Sequence, residues 1–299
     1  MPDAPNFSIV IPTYNRPEQL VSCLQACARL DYPCDRFEVI VVDDGGGTPL
    51  DEIVTRFHGM LTLKLLRQEN TGPAAARNRG ASEARGEFLA FTDDDCAPAP
   101  NWLRALSTQV VASPDCAVGG QTCNALTHNL YSTASQLLIS YLFSYYNAVP
   151  HAARFFPSSN LVFPIKQFRA VKGFDVTYLR AAAEDRELCD RWLNHGYQMI
   201  YAAEAVVYHA HSLTFWTFLR QHFHYGRGAF CFNQVRARRG QRRLKVEPPA
   251  FYFNMLRYPF VSGHGMKAPL LTLLFVVTQV VTAVGFLWQK MVNIKVVVS

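Results

Sequence analysis

Four short apolar runs, each ending in a polar cluster, constrain this chain more than any other feature. Phe7–Ile11, Glu38–Val42, Leu61–Leu66 and Phe88–Thr92 have the length and near-continuous Val, Ile, Leu and Phe content of buried strands. Segments of helical period separate them. Pro17–Arg29 has Pro at its start, and Pro73–Arg85 is opened by Thr71-Gly72-Pro73. Strands alternating with helices predict an α/β chain with a parallel sheet covered by helices.

The polar clusters all follow strand ends: Thr13-Tyr14-Asn15, Asp43-Asp44-Gly45 and the triplet Asp93-Asp94-Asp95. Open α/β sheets bind ligands in the crevice beyond those ends, so the clusters are expected to converge. Three neighbouring carboxylates repel one another and raise each other's pKa. A divalent cation removes that cost, and hard oxygen ligands suit Mg2+ or Mn2+ completed by substrate phosphates. The alternative for such a triplet is a solvated turn or a helix cap; its place after Phe88-Leu89-Ala90-Phe91 favours the cation.

Ile11-Pro12-Thr13-Tyr14-Asn15-Arg16, Val41-Val42-Asp43-Asp44-Gly45, Gly72 to Asn78 and Thr92 to Asp95 resemble, in order, the signatures of family 2 glycosyltransferases. The resemblance continues through Gly173-Phe174-Asp175 and Glu184-Asp185 to His209 and covers residues 5 to 230. It implies a GT-A fold, a Rossmann-like mixed sheet that binds a nucleotide sugar. It also implies donor-binding roles: Pro12, Thr13 and Tyr14 bordering the nucleoside, Asp43 on the base, and Arg77 at the base or the phosphates. Asp95 is the implied direct metal ligand, with Asp93 nearer the ribose and Asp94 between them. His209 is placed to complete the metal's shell, and His211, facing the other side of a strand, is a weaker candidate.

Inverting sugar transfer needs a carboxylate to take the acceptor hydroxyl proton. Asp185 stands at the family's Glu-Asp base position, at the start of a helical segment Glu184–His195. A helix N-terminus favours an anion, and a plain cap is the alternative role. Processive members carry Gln-x-x-Arg-Trp downstream, whereas Leu219 to Arg227 reads LRQHFHYGR. Transfer of one sugar per encounter is therefore expected, with Arg220 or Arg227 available to clamp a phosphate. The expected donor is a nucleoside-diphosphate hexose, UDP first. Two alternatives remain: a sugar-phosphate nucleotidyltransferase, whose Gly-rich basic loop is absent after the first strand, and a non-catalytic membrane-tethered nucleotide-sugar-binding protein.

Other segments read as helices at Asn101–Val111 and Tyr131–Tyr146, as a strand at Gln198–His209, and as an aromatic, basic, amphipathic segment at Phe215–Phe232. Tyr131–Tyr146, rich in aromatics, is expected to cover the sheet. Charge is unevenly placed: Ser212 to Lys267 holds ten Lys or Arg against one acid, Glu247. Within it, the run Arg236 to Lys245, with Arg238, Arg239, Arg242 and Arg243, fits attraction to anionic headgroups better than to nucleic acid, for which no recognition motif is present. Pro269–Trp288 runs about 20 residues without a charge, enough to span a bilayer core, with Lys267 and Lys290 at its ends.

The expected organisation is a catalytic domain over 1–212, a basic aromatic membrane-proximal region over 213–267, a transmembrane helix over 268–290 and a tail over 291–299. The positive-inside tendency places the catalytic domain on the cytoplasmic side of the cell membrane, with a lipid or lipid-linked saccharide as acceptor. No secretory leader is visible at the amino terminus, and eight scattered cysteines without a Cys-x-x-Cys pair fit reduced thiols.

Overall fold

A computed structural model describes residues 4–178, 182–240 and 247–298. The first half alternates as the apolar runs require: β1 (Phe7–Thr13), α1 (Pro17–Cys27), β2 (Phe37–Asp43), α2 (Asp51–Phe57), β3 (Leu63–Arg67), α3 (Pro73–Ser82) and β4 (Phe88–Phe91). All seven residues of β1 are buried, as the unbroken run FSIVIPT predicts for a central strand. There follow β5 (Cys96–Pro98), α4 (Trp102–Ala112), β6 (Ala117–Asn124), α5 (Leu130–Tyr146), β7 (Leu161–Pro164), α6 (Ile165–Ala170), α7 (Glu184–Asn194) and β8 (Met199–His209). Three helices close the chain: α8 (Phe215–Arg238), α9 (Pro249–Val261) and α10 (Ala268–Val298).

Eight strands among the described residues form one sheet in the order β3-β2-β1-β4-β7-β6-β8-β5. Strands β1 to β4 pair in parallel. The sheet then turns mixed: β7 runs antiparallel to β4 and β6, and β5 antiparallel to β8. The mixed sheet that the family resemblance implies is present: β1 to β4 form its parallel half, and β6 and β8 pair in parallel again beyond it.

Two glycines set the geometry where α3 meets the sheet. Gly72 precedes the helix at φ 92°, a left-handed conformation that Gly adopts without steric cost. A Cβ on Gly80 would stand 2.4 Å from Val10 Cγ1, so α3 lies directly on β1 and β2. That contact fixes Arg77, one turn earlier, at the carboxyl edge of the sheet.

The chain divides into two compact units, Met1–Ala125 with Tyr146–Ala210 and Leu126–Tyr145 with His211–Ser299. The first holds the sheet and its core. The second has its own core, in which Ala134, Leu137, Leu138 and Tyr141 of α5 cluster with Phe218, Phe251, Met255, Leu271, Leu274 and Phe275. These buried side chains of α5 are part of this helical core. Within the unit Asn129 donates to Leu213 O at 2.9 Å and Tyr141 to Phe251 O at 2.6 Å. Thr214 and Thr217 form a reciprocal capping box that starts α8. One described helix, Gly265–Asn293, is long and apolar enough to cross a membrane. Arg242, Arg243 and Lys245 of the basic run lie outside the described residues.

Candidate active site

The parallel register of β1, β2 and β4 brings Thr13, Asp43 and the aspartate triplet to one edge of the sheet. Each aspartate is held differently. Asp94, almost fully buried, accepts from Thr13 Oγ1 at 2.7 Å and from Arg16 at 3.2 Å. Burial pushes its carboxyl up to about 6, against the pull of Arg16 and with the repulsion of Asp95. Asp94 is thus turned into the protein.

Asp93 accepts from Arg77 at 2.7 Å, and its carbonyl receives the Cys96 N–H at 3.1 Å, closing a turn across the triplet. Asp95 meets Arg16 at 3.1 Å and His209 Nε2 at 3.1 Å. The short strand β5 explains the second contact, because it pairs Cys96 directly with His209 on β8, and Ala210 N–H closes on Asp95 O at 2.8 Å. Burial lowers the affinity of the His209 imidazole for a proton, but the hydrogen bond and charge of Asp95 outweigh it and raise its pKa.

Ligand atoms of Asp93, Asp95 and Cys96 lie within 4.8 Å of one another. Burial holds the Cys96 thiol well above its ordinary pKa, so the group offers carboxylate oxygen in preference to thiolate. Two carboxylates with open positions suit Mg2+ or Mn2+, which keep sites for substrate phosphates. His211 belongs to the helical unit, as do Arg220 and Arg227. In that unit Arg227 donates to Gln289 Oε1 at 2.7 Å and lies over the Trp288 ring.

Arg77 links the triplet to α7. Its guanidinium, 3% exposed, forks between Asp93 and Glu184 Oε1, the latter at 3.1 Å, and rests on the Phe174 ring at 5.5 Å. Glu184 also accepts from the Ala182 N–H at 2.7 Å. Asn78, next to Arg77, accepts from Phe174 N and donates to Phe174 O, both at 2.8 Å, which fixes the loop beneath the guanidinium. The neighbour of Glu184 is Asp185, half-buried in the first turn of α7. Burial, then the adjacent Glu184 charge, push its carboxyl up to about 7.

At the end of β1, Pro12 and Thr13 are buried and Tyr14 is 48% exposed. Asp43 Oδ1 accepts from Gly46 N–H at 2.9 Å, while Asp44 takes the N–H groups of Thr71 and Gly72 and the amide of Gln68. Asp44 therefore ties the loop after β2 to the start of α3. Arg16, Asp44 and Glu184 stand in motifs that the sequence shows, yet no local signal marks them as partners of Asp94, the Gly72 loop and Arg77.

Residues 8–171 match the sequence profile of glycosyl transferase family 2. The chain belongs to that family. Among curated family relatives, glycosyltransferase AglE of Haloferax volcanii is 40% identical over 108 residues, 35% of each chain. The poly(ribitol-phosphate) β-N-acetylglucosaminyltransferase TarS of Staphylococcus aureus is 37% identical over 91 residues, 30% of this chain and 16% of that one. The matched stretches thus span about a third of the length of the first relative and less of the second. The fold is GT-A. The mannosyltransferase PcManGT from Pyrobaculum calidifontis, solved with GDP-Man and Mn2+, superposes at a TM-score of 0.68, with 18% identity, over 96% of this chain and 88% of that one. Residues 1–349 of TarS superpose at 0.58, with 17% identity, over 94% and 89%.

Proposed function

We propose that this family 2 protein is an inverting glycosyltransferase that moves one hexose from a nucleoside-diphosphate donor, UDP first, to an acceptor at a membrane surface. The observation that carries the reading is the Arg77 fork, which joins the triplet aspartate Asp93 to Glu184, beside the half-buried Asp185. This fork supports a reading in which a donor site at the triplet and a proton acceptor on α7 are neighbours.

Asp93 and Asp95, with His209 behind Asp95, would hold Mn2+ or Mg2+. When bound, the cation offsets the charge of the donor diphosphate. The chain's own residues do the rest. Tyr14, Pro12 and Thr13 border the nucleoside and Asp43 receives the base. Asp94, pinned by Thr13 and Arg16, orients the turn that presents its two neighbours. Asp185 takes the proton of the acceptor hydroxyl, and a carboxyl titrating near 7 is matched to that task at neutral pH. The solved neighbours carry GDP-Man with Mn2+ and, for TarS, UDP-GlcNAc, which supports a nucleotide-sugar donor here.

The acceptor is proposed to be a membrane lipid or lipid-linked saccharide on the cytoplasmic side. The basic, apolar helical region supports this. The test incubates membranes containing the full chain with a panel of radiolabelled nucleotide sugars and Mn2+, followed by organic extraction. Label in the organic phase is expected; label confined to water-soluble product removes the lipid acceptor, and label in neither phase removes the transfer.

A further inference from the structure

The long helix α10 is amphipathic in the reverse sense. Its polar residues are turned toward protein: Thr278 is fully buried, while Thr272 and Thr282 are half-buried and donate to Leu256 O and His222 O. Its outward stripe is Leu270, Leu273, Val280, Val284, Leu287 and Met291, each between 45% and 58% exposed. From Leu270 to Met291 is about 32 Å of helix at 1.5 Å per residue. No polar residue between Pro269 and Trp288 is exposed, and the first exposed charges are Lys267 before it and Lys290 after it. Water does not favour such a face; hydrocarbon does.

A helix of this length is read first as a span, but its partner helix argues against that. Within the same unit α8 lies alongside α10, and the contacts climb both helices together. His222 O meets Thr282, Gly226 approaches the Thr282 carbonyl and the Phe286 amide, and Arg227 bonds Gln289. Gly226 and Gly285 are what allow the two backbones so close, since a Cβ on either would stand about 2 Å from a carbonyl oxygen of the other helix. The pairing is therefore not incidental, and where α10 goes α8 goes with it. A spanning α10 would carry α8 across at the same depth. Arg220, exposed two residues before His222, would then sit level with the middle of the apolar segment, and Arg227 would lie near one end. Charged side chains at mid-depth are strongly disfavoured. The apolar stripe of α10 faces away from the side that packs on α8.

We propose that α10 lies in the plane of an anionic lipid leaflet, its Leu270–Met291 stripe sunk among the acyl chains and α8 stacked on its aqueous side. Lys267 and Lys290, both exposed, stand at the two ends of the stripe, where anionic headgroups meet them. The chain is thus monotopic, and both of its ends lie on one side of the membrane. This inference rests on the membrane-surface acceptor proposed above, but its test does not depend on turnover.

The full chain, tagged at both ends, is expressed in bacteria and its membranes are prepared as sealed inside-out and right-side-out vesicles. Protease is expected to remove both tags from inside-out vesicles and neither from right-side-out ones. Opposite accessibility of the two tags means a span and overturns the inference. A V280D/L287E variant, altered only at exposed positions, is expected to leave the membrane fraction at least tenfold more readily while binding nucleotide in Mn2+ as the parent does. Two further results would overturn the inference: a parent chain recovered as a soluble dimer, in which a second copy covers the stripe, or a variant that stays in the membrane. Loss of nucleotide binding in the parent would refute the transferase reading and leave the topology result intact.

Discussion

Replacing Arg77 by Met tests the network that joins the two halves of the site. The substitution keeps most of the volume and removes the one cation shared by Asp93 and Glu184. Glu184 is 4% exposed and would be left charged without its partner, whereas Asp93 is 27% exposed and can regain water. Breaking a buried ion pair from one side costs about 3–5 kcal/mol. The exposure of Asp93 places the expectation near the lower end, about 3 kcal/mol, or a fall of roughly 6–12 °C in melting temperature for a domain of this size. Glu184→Gln keeps the shape and removes the orphaned charge, so the R77M/E184Q double variant should recover at least about 1 kcal/mol relative to the sum of the single changes. The assay is urea unfolding followed by circular dichroism, with thermal melts alongside. A loss below about 1 kcal/mol for R77M, or strict additivity in the double variant, would show that the fork carries little energy and would refute the reasoning.

The raised Asp185 carboxyl gives a pH dependence with a definite sign. A base with its pKa near 7 is deprotonated above that value, so kcat/KM should fall about tenfold per unit as pH drops below 7. Because the Glu184 charge contributes to the upward shift, Glu184→Gln should move that limb to lower pH; a profile flat from pH 5.5 to 8 would remove Asp185 as the titrating base. Asp95→Ala should weaken Mn2+-dependent nucleotide binding by about tenfold or more in calorimetry. Unchanged affinity would move the cation elsewhere.

The strands that carry the site were legible because their signal is local. FSIVIPT, FEVIVVD and FLAF are built on the apolar runs Ile9–Ile11, Val39–Val42 and Phe88–Phe91, and polar residues begin at or just beyond the end of each. β6 reads AVGGQTCN, in which Gly119 and Gly120 erase the strand signal. Their absent side chains make room for Phe156 and for the Asn160 amide, which no window of sequence reveals. β5 is only three residues long, yet its pairing with β8 sets His209 beside Asp95. α9 escaped notice because it begins on consecutive prolines and contains Pro259. Within the site the residue types were visible but the partners were not. Arg77 was expected at the base or the phosphates, and the structure holds it between Asp93 and Glu184, the latter 107 positions away. Arg16 reaches Asp94 across 78 positions. Such pairs are decided by the order of strands in the sheet.

The central claim is that this fold presents a nucleotide-sugar site at the triplet and a proton-accepting carboxylate at Asp185. Asp185→Asn keeps the size and hydrogen-bonding reach of the side chain and removes its basicity. The account predicts that sugar transfer falls by roughly 10²–10⁴ while Mn2+-dependent donor affinity stays within about twofold of the parent. Transfer at the parental rate by the folded variant would contradict it.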